Sequence, residues 1–444
     1  MLRQYFPGFL QWLKAVKDPR KRPDQCTFPV EYLLILALVM FCGQRGSRRK
    51  LGQALKGGRL GGNLWRMVGR AGAVAACHTD TMNGMMEVLD PAQIEELIAA
   101  VFGQLRRLRV LDSFRFAGLL TVAIDGVKIL SFGKEHCKSC THQTQNGVTT
   151  WFHYALVAKV VTPIGLVVPL AFEFVENPGV EYDKQDCELK ARARLFEKIA
   201  KLFPRLRINL TGDGLYAEKT TMAECDRLGW NFMLTLTEAK LPTVTAQLPP
   251  AAKHWDGTRT CSVNLGGTDG AGRHKGRPRT LQRTVRWKTP VRYRREVRHV
   301  IELEDTDAEG QRVYYNRWIT NVKPDRANAF DLALTGRLRW KVENEGINTQ
   351  KNGGYEMEHA YGRKDNAWKN YYLPLQLSQL LNDLVRLTDI LPKATGDPGS
   401  NFVRVFGSTL NFALCLMESL RTCLPDLNGP PTLDHRIQIR LLRC

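Results

Sequence analysis

Leu119-Leu120-Thr121-Val122-Ala123-Ile124-Asp125-Gly126 is where the periodicity of the chain changes. A nearly unbroken apolar run closes on a carboxylate and a glycine, which reads as a buried β-strand with Asp125 at its end. Before it, to about residue 116, apolar residues recur at helical spacing: Leu33, Leu36, Ala37 and Met40, then Ile94, Leu97, Ile98, Val101 and Leu105. Thr79-Asp80-Thr81 offers a helix cap, and Arg45-Gly46-Ser47-Arg48-Arg49-Lys50 a basic turn. Such a helical unit suits DNA, although no spacing specifies a helix-turn-helix and a solvated charged face reads equally well.

After the decisive strand come two β-rich runs, 151–161 and 165–175, joined by Thr162-Pro163-Ile164. Residues 184–203 follow as an amphipathic helix, with Leu189, Leu195, Phe196, Ile199 and Leu202 inward. A second short strand then ends in Gly212-Asp213-Gly214, followed by a helix near 219–229 and a strand at 231–236. Three strands, helix, strand, helix, strand is the order of an α/β unit with a mixed sheet, whose ligand sites gather at strand ends. From about 239 to 325 the pattern is interrupted by Gly, Pro, Thr and Arg, with β-like pieces at 295–303 and 313–322. Helical spacing resumes with Phe330, Leu334, Leu338 and Val342, expected to face the sheet, and a last helix is expected over 367–390.

Composition sets the partner class. The 444 residues carry 64 Lys+Arg against 44 Asp+Glu, a net charge of +20, so a polyanion is the expected partner. At 43% hydrophobic and 24% charged, the chain can bury a core, which excludes collagen-like, repeat and wholly disordered readings. The longest apolar run, 32–42, is too short to cross hydrocarbon, and the N-terminus lacks the pattern of a signal peptide. Eleven scattered cysteines fit a reducing compartment. A cytoplasmic protein with no membrane role, associated with the nucleoid when bound to DNA, is expected.

Asp125 and Asp213 end the first and fourth strands of this unit. Either one alone would read as a turn former. A third carboxylate, Glu343, sits in Arg339-Trp340-Lys341-Val342-Glu343 at the rim of the expected helix face, with Arg339 four residues earlier on the same side. Carboxylates converging without counter-charge repel by about 4 kcal/mol per pair at 4 Å and an effective dielectric of 20. A divalent ion relieves that repulsion, and oxygen-only ligands suit Mg²⁺ or Mn²⁺. Two such ions catalyse phosphodiester chemistry, which fits a basic protein.

With these residues the chain resembles an insertion-sequence transposase of the DDE superfamily, in the branch with a β-strand insertion between the second Asp and the Glu. The likeness rests on Ala123-Ile124-Asp125-Gly126, Gly212-Asp213-Gly214-Leu215-Tyr216 and Arg339-Trp340-Lys341-Val342-Glu343. It extends to Lys184-Gln185-Asp186-Cys187-Glu188 and to 344–351. Gly336 stands where the branch usually has Tyr, and Gln350 stands where it has Lys, with Lys351 next. The resemblance implies a ribonuclease-H-like α/β fold: a helical N-terminal domain at 1–116, core at 117–238 and 326–395, a basic β-rich insertion at 239–325, and a C-terminal segment at 396–444. It implies that Asp125, Asp213 and Glu343 hold two Mg²⁺ or Mn²⁺ ions for cleavage at transposon ends and 3′-hydroxyl strand transfer into target DNA. Arg339 and Lys351 are expected on DNA phosphate, and a homodimer on double-stranded DNA is expected. A nuclease that cuts without strand transfer, or a non-catalytic DNA-binding descendant, shares the same residues.

Other signals are weaker. Between Arg273 and Arg298 stand eleven Lys/Arg and one acid, a run suited to DNA backbone; ten neutralised phosphates would give a salt slope of about −9. Cys137-x-x-Cys140, flanked by His136 and His142, has half the spacing of a zinc site, and two loop cysteines without metal is the simpler reading. Tyr355 and His359 read as ordinary polar surface, and Trp287 and Trp318 as packing rather than platforms for a base.

Overall fold

A computed structural model describes residues 1–177, 185–249, 254–266 and 279–423. Its described strands form one mixed sheet. They are β1 (Leu120–Phe132), β2 (Thr141–Gln145), β3 (Val148–Val161), β4 (Val167–Val175), β5 (Ile208–Gly212), β6 (Asn231–Thr235), β7 (Gly257–Leu265), β8 (Arg279–Tyr293), β9 (Glu296–Thr306) and β10 (Arg312–Thr320). The order is β2-β3-β1-β5-β6-β10-β9-β8-β7, and β4 shares with β2 the outer edge of β3. β1, β5 and β6 run parallel, and β1, β3 and β4 antiparallel, as the alternation of strands and helices predicts.

Helices cover both faces, which is why Leu120–Ile124 is continuously buried and, but for Thr121, apolar rather than alternating. Asp125, Val157 and Phe172 are register partners and share one face; there Phe172 meets Tyr372 of the Ala367–Leu387 helix, ring centres 5.9 Å apart. On the same face the Thr211 hydroxyl donates to the Gly336 carbonyl at 3.4 Å. Helices Glu188–Leu202 and Lys219–Leu228 lie on the other face. The N-terminal helices are joined to this body: the thirteen residues of the Val30–Cys42 helix are all buried, and the Ser378 hydroxyl donates to the Leu38 carbonyl at 3.2 Å. Among the described residues no helix is long and apolar enough to cross a membrane.

Two expectations about these elements need correction. β1 does not end at Asp125-Gly126 but runs on to Phe132, because the long β3 continues to pair with it after β5 has stopped. The helix near 330 (Ala329–Arg337) buries Ala329, Leu332, Ala333 and Gly336 rather than the Phe330–Leu334–Leu338 stripe, and Leu334 is exposed. At Gly336 it packs so closely that a side chain has no room: a Cβ there would stand 2.7 Å from the Trp318 ring. The β-rich segment 239–325 extends the same sheet, since β10 pairs antiparallel with β6. Within that extension Trp287 and Trp318 are both buried, as packing residues should be.

Candidate active site

The last rung between parallel β1 and β5 is Ala123↔Thr211. Asp125 and Asp213 each lie two residues beyond it, on strands that sit about 4.8 Å apart. Beyond this rung β5 turns away: the Leu215 N–H donates to Asp213 Oδ1 at 2.8 Å, and the Tyr216 N–H to the Asp213 carbonyl at 3.2 Å. The edge of β1 is thereby opened at Asp125, whose Oδ1 accepts from the Gly126 N–H at 2.9 Å.

Glu343 reaches the same place from a wide π-helical turn, Val342–Asn348, that lies against β1. Such turns are frequent at functional sites because they re-aim side chains relative to an α-helix. Arg339 Nη1 donates to Glu343 Oε1 at 2.8 Å and stands 3.9 Å from Asp125 Oδ2, so one guanidinium links two of the three acids. The three carboxylates are spread too widely to bring an oxygen each within 4.8 Å of the others. Burial pushes the Asp125 carboxyl up to about 7; Glu343 and Asp213 add to the rise, and Arg339 and the Gly126 N–H oppose it. Burial first, and the neighbouring acids second, disfavour the ionised carboxylate here, a cost that a bound cation relieves.

Glu345, the nearest rival for the third acid, is turned elsewhere. It pairs with Lys341 at 2.5 Å and packs on Gly165 in the β3–β4 turn. Lys351 pairs with Glu358 at 2.7 Å and joins none of the three acids. Gln350, just before it, is fully buried and donates to Gln376 at 2.7 Å and Gln379 at 2.6 Å, where a lysine would be left with an unpaired charge. Tyr355 is buried, correcting its surface assignment, and accepts a hydrogen bond from Asn382; His359 packs on Tyr361.

Sequence reasoning missed Lys159. It lies on β3 opposite Ala123, fully buried, and a Cβ on Gly346 would stand 3.6 Å from its Nζ. Burial drives its ammonium down to about 7, while the charges of Asp125 and Asp383 pull it back up. A lone lysine inside WFHYALVAKVV was the available signal. Glu188, named in the sequence only as part of the likeness and given no role, accepts from the Tyr154 hydroxyl at 2.5 Å and from the Tyr216 hydroxyl. This trio lies on the opposite face of β1 under Gly126, where a Cβ would stand 1.7 Å from the Tyr154 oxygen, so glycine is required.

The basic run is less free than its composition implies. Residues 273–278 lie outside the described ones. Of the rest, Arg283 binds Asp305, Arg286 binds Glu302 and Glu304, Lys288 binds Asp256 and Arg298 binds Asp226. A cavity of about 1140 Å³ opens beside the Arg339 segment, lined by Arg115, Arg283, Arg337, Trp340 and Lys341 among others. No protein-family model matches the chain, and no curated protein sequence matches it.

Proposed function

We propose that the chain is a DNA transposase of the DDE superfamily, built on a ribonuclease-H-like core. The observation that supports this most is that Asp125 feels the charge of both Asp213 and Glu343, separated by 88 and 130 residues, with Arg339 between Asp125 and Glu343, in a protein of net charge +20. The donor set is carboxylate oxygen only, which fits hard divalent cations. When bound, two Mg²⁺ or Mn²⁺ ions would activate the attacking hydroxyl and stabilise the leaving oxygen of a phosphodiester. Asp125 and Asp213 are fixed for this by adjacent parallel strands, and Glu343 by its wide turn. Arg339 holds Glu343 toward Asp125 and offers positive charge where a DNA phosphate would approach.

The test is Asp125→Asn, Asp213→Asn and Glu343→Gln in the full chain. Each should lower Mn²⁺-dependent cleavage of transposon-end DNA by at least about 100-fold, the scale for losing one preorganised charge-stabilising group. DNA affinity should change little. Cleavage retained in any variant removes that residue from the site. Joined products on a target plasmid separate a transposase from a nuclease that only cuts.

A further inference from the structure

A second cluster lies apart from the three acids, where β1 gives way to β2. Cys137 Sγ and Cys140 Sγ are 3.4 Å apart, and His153 Nε2 of β3 stands 3.9 Å and 3.8 Å from them. Among the described residues this is the only trio of His, Cys, Asp or Glu whose ligand atoms all fall within 4.8 Å of one another. Two thiolates and an imidazole on tetrahedral zinc, at about 2.3 and 2.0 Å from the metal, stand about 3.8 Å (S to S) and 3.5 Å (S to N) apart. The observed separations agree within about 0.4 Å. They exceed the sulfur–sulfur bond of a disulfide, about 2.0 Å, by more than 1 Å.

The surroundings hold the trio in this arrangement. The Cys140 N–H donates to the Cys137 carbonyl at 3.0 Å, closing the turn that brings both sulfurs to one side. Asn177 braces that turn, its amide donating to the Cys140 carbonyl at 2.8 Å and its N–H to the Ser139 carbonyl at 3.1 Å. The His153 ring is stacked on Trp368 with centres 4.3 Å apart and planes 12° apart, so its rotation is blocked. Cys140 and His153 are buried, whereas most of residues 133–139 are exposed and polar, with no apolar anchor. His136 adjoins Cys137 with its ring centre 6.0 Å from that of His153, the nearest further imidazole to the trio.

We propose that Cys137, Cys140 and His153 bind one zinc ion, with His136 as the fourth ligand, and that this ion fastens the β1–β2 connection to β3 and the Ala367–Leu387 helix. Thiolates select zinc over the hard cations suited to the carboxylate site. Binding releases the two thiol protons, so affinity rises with pH. The inference does not depend on DNA cleavage.

The test is metal analysis of the full chain purified under reductant without chelator. One zinc per chain is expected, falling below one tenth in Cys137→Ser/Cys140→Ser and in His153→Ala, and unchanged in Asp125→Asn/Asp213→Asn. His136→Ala should weaken zinc affinity at least tenfold; unchanged affinity would remove His136 from the site. Cobalt-reconstituted wild-type protein should show thiolate-to-cobalt charge transfer and tetrahedral d–d bands, a readout independent of whether the variants fold. Zinc below one tenth per wild-type chain, full zinc in the double cysteine variant, or cobalt spectra without thiolate bands would each overturn the proposal.

Discussion

Asp125 and Asp305 are both largely withdrawn from water, and both face arginine. At Asp305 burial alone would raise the pKa, but the bidentate bond from Arg283 (2.7 and 2.8 Å) and the bond from Arg337 (2.7 Å) outweigh it and hold the carboxyl below its usual range. At Asp125 burial is reinforced by Glu343 and Asp213, and the single Arg339 only partly opposes them. Two cations to one anion makes a closed structural joint. Three anions against Arg339 and a buried Lys159, whose ammonium burial itself disfavours, makes a site still open to positive charge. Residue type is the same, so local charge balance separates the roles.

The largest effect that tests this contrast is on stability. Asp305→Ala should cost about 3–5 kcal/mol, because it leaves Arg283, itself 7% exposed, buried without its partner. Asp125→Asn in metal-free protein should leave stability unchanged or raise it, since it removes a repelled charge. Urea denaturation of the two variants side by side measures both. A loss at Asp125 as large as that at Asp305 would break the comparison.

The pH dependence should differ in sign. Asp305 has a folded pKa below its unfolded value of about 3.9, so its contribution is present above that pH and is lost as pH falls through the folded pKa. Asp125 has a folded pKa of about 7, so the native state binds the extra proton between about pH 4 and 7. With divalent ions chelated, stability in that window should fall as pH rises. Asp125→Asn should flatten this part of the profile, and Asp305→Asn should flatten the acid limb instead. Melting temperatures across pH 3–8 give the result.

A smaller effect is expected where the two regions are mechanically joined. The helix carrying Arg337 toward Asp305 leads directly into Arg339 and Glu343, and Gly336 is its contact with Trp318. Gly336→Ala gains about 1 kcal/mol of helix propensity, but its Cβ meets a fully buried indole that cannot yield. Overpacking of about 1–3 kcal/mol should win, giving net destabilisation together with weaker cleavage. A Gly336→Ala variant as stable as wild type would mean the helix can shift without disturbing either site.

The acids were legible in the sequence because each is marked locally. Asp125 and Asp213 follow apolar strands and precede glycine, and Arg339 and Glu343 hold the i, i+4 spacing that the 2.8 Å bond realises. Features set by distant neighbours were not legible. Whether β1 stops at Asp125 depends on the length of β3, and which helix face is buried depends on Trp318. His153 completes the cysteine pair only because β3 returns alongside β1. Lys159 was visible as a misfit in an apolar strand, but its closeness to Gly346 belongs to the fold. The basic run misled because composition counts charges without counting the acids that β9 and neighbouring segments set against them.

Lys351 marks the weak end of the same scale. It pairs with Glu358, whose side chain is 62% exposed, and touches none of the acids that define either region. Exposed pairs contribute at most about 1 kcal/mol, so Lys351→Ala should shift stability by no more than about 0.5 kcal/mol. If Lys351 meets a DNA phosphate, the same substitution should make the slope of log affinity against log salt shallower by about 0.9, the value for one released counterion. Maximal cleavage rate at saturating DNA should stay constant, because the lysine lies outside the set linked by Arg339. An unchanged salt slope assigns Lys351 to its pairing with Glu358 alone. A fallen cleavage rate would instead extend the open, acid-rich site beyond Arg339 and blur the boundary that the Asp125–Asp305 contrast draws.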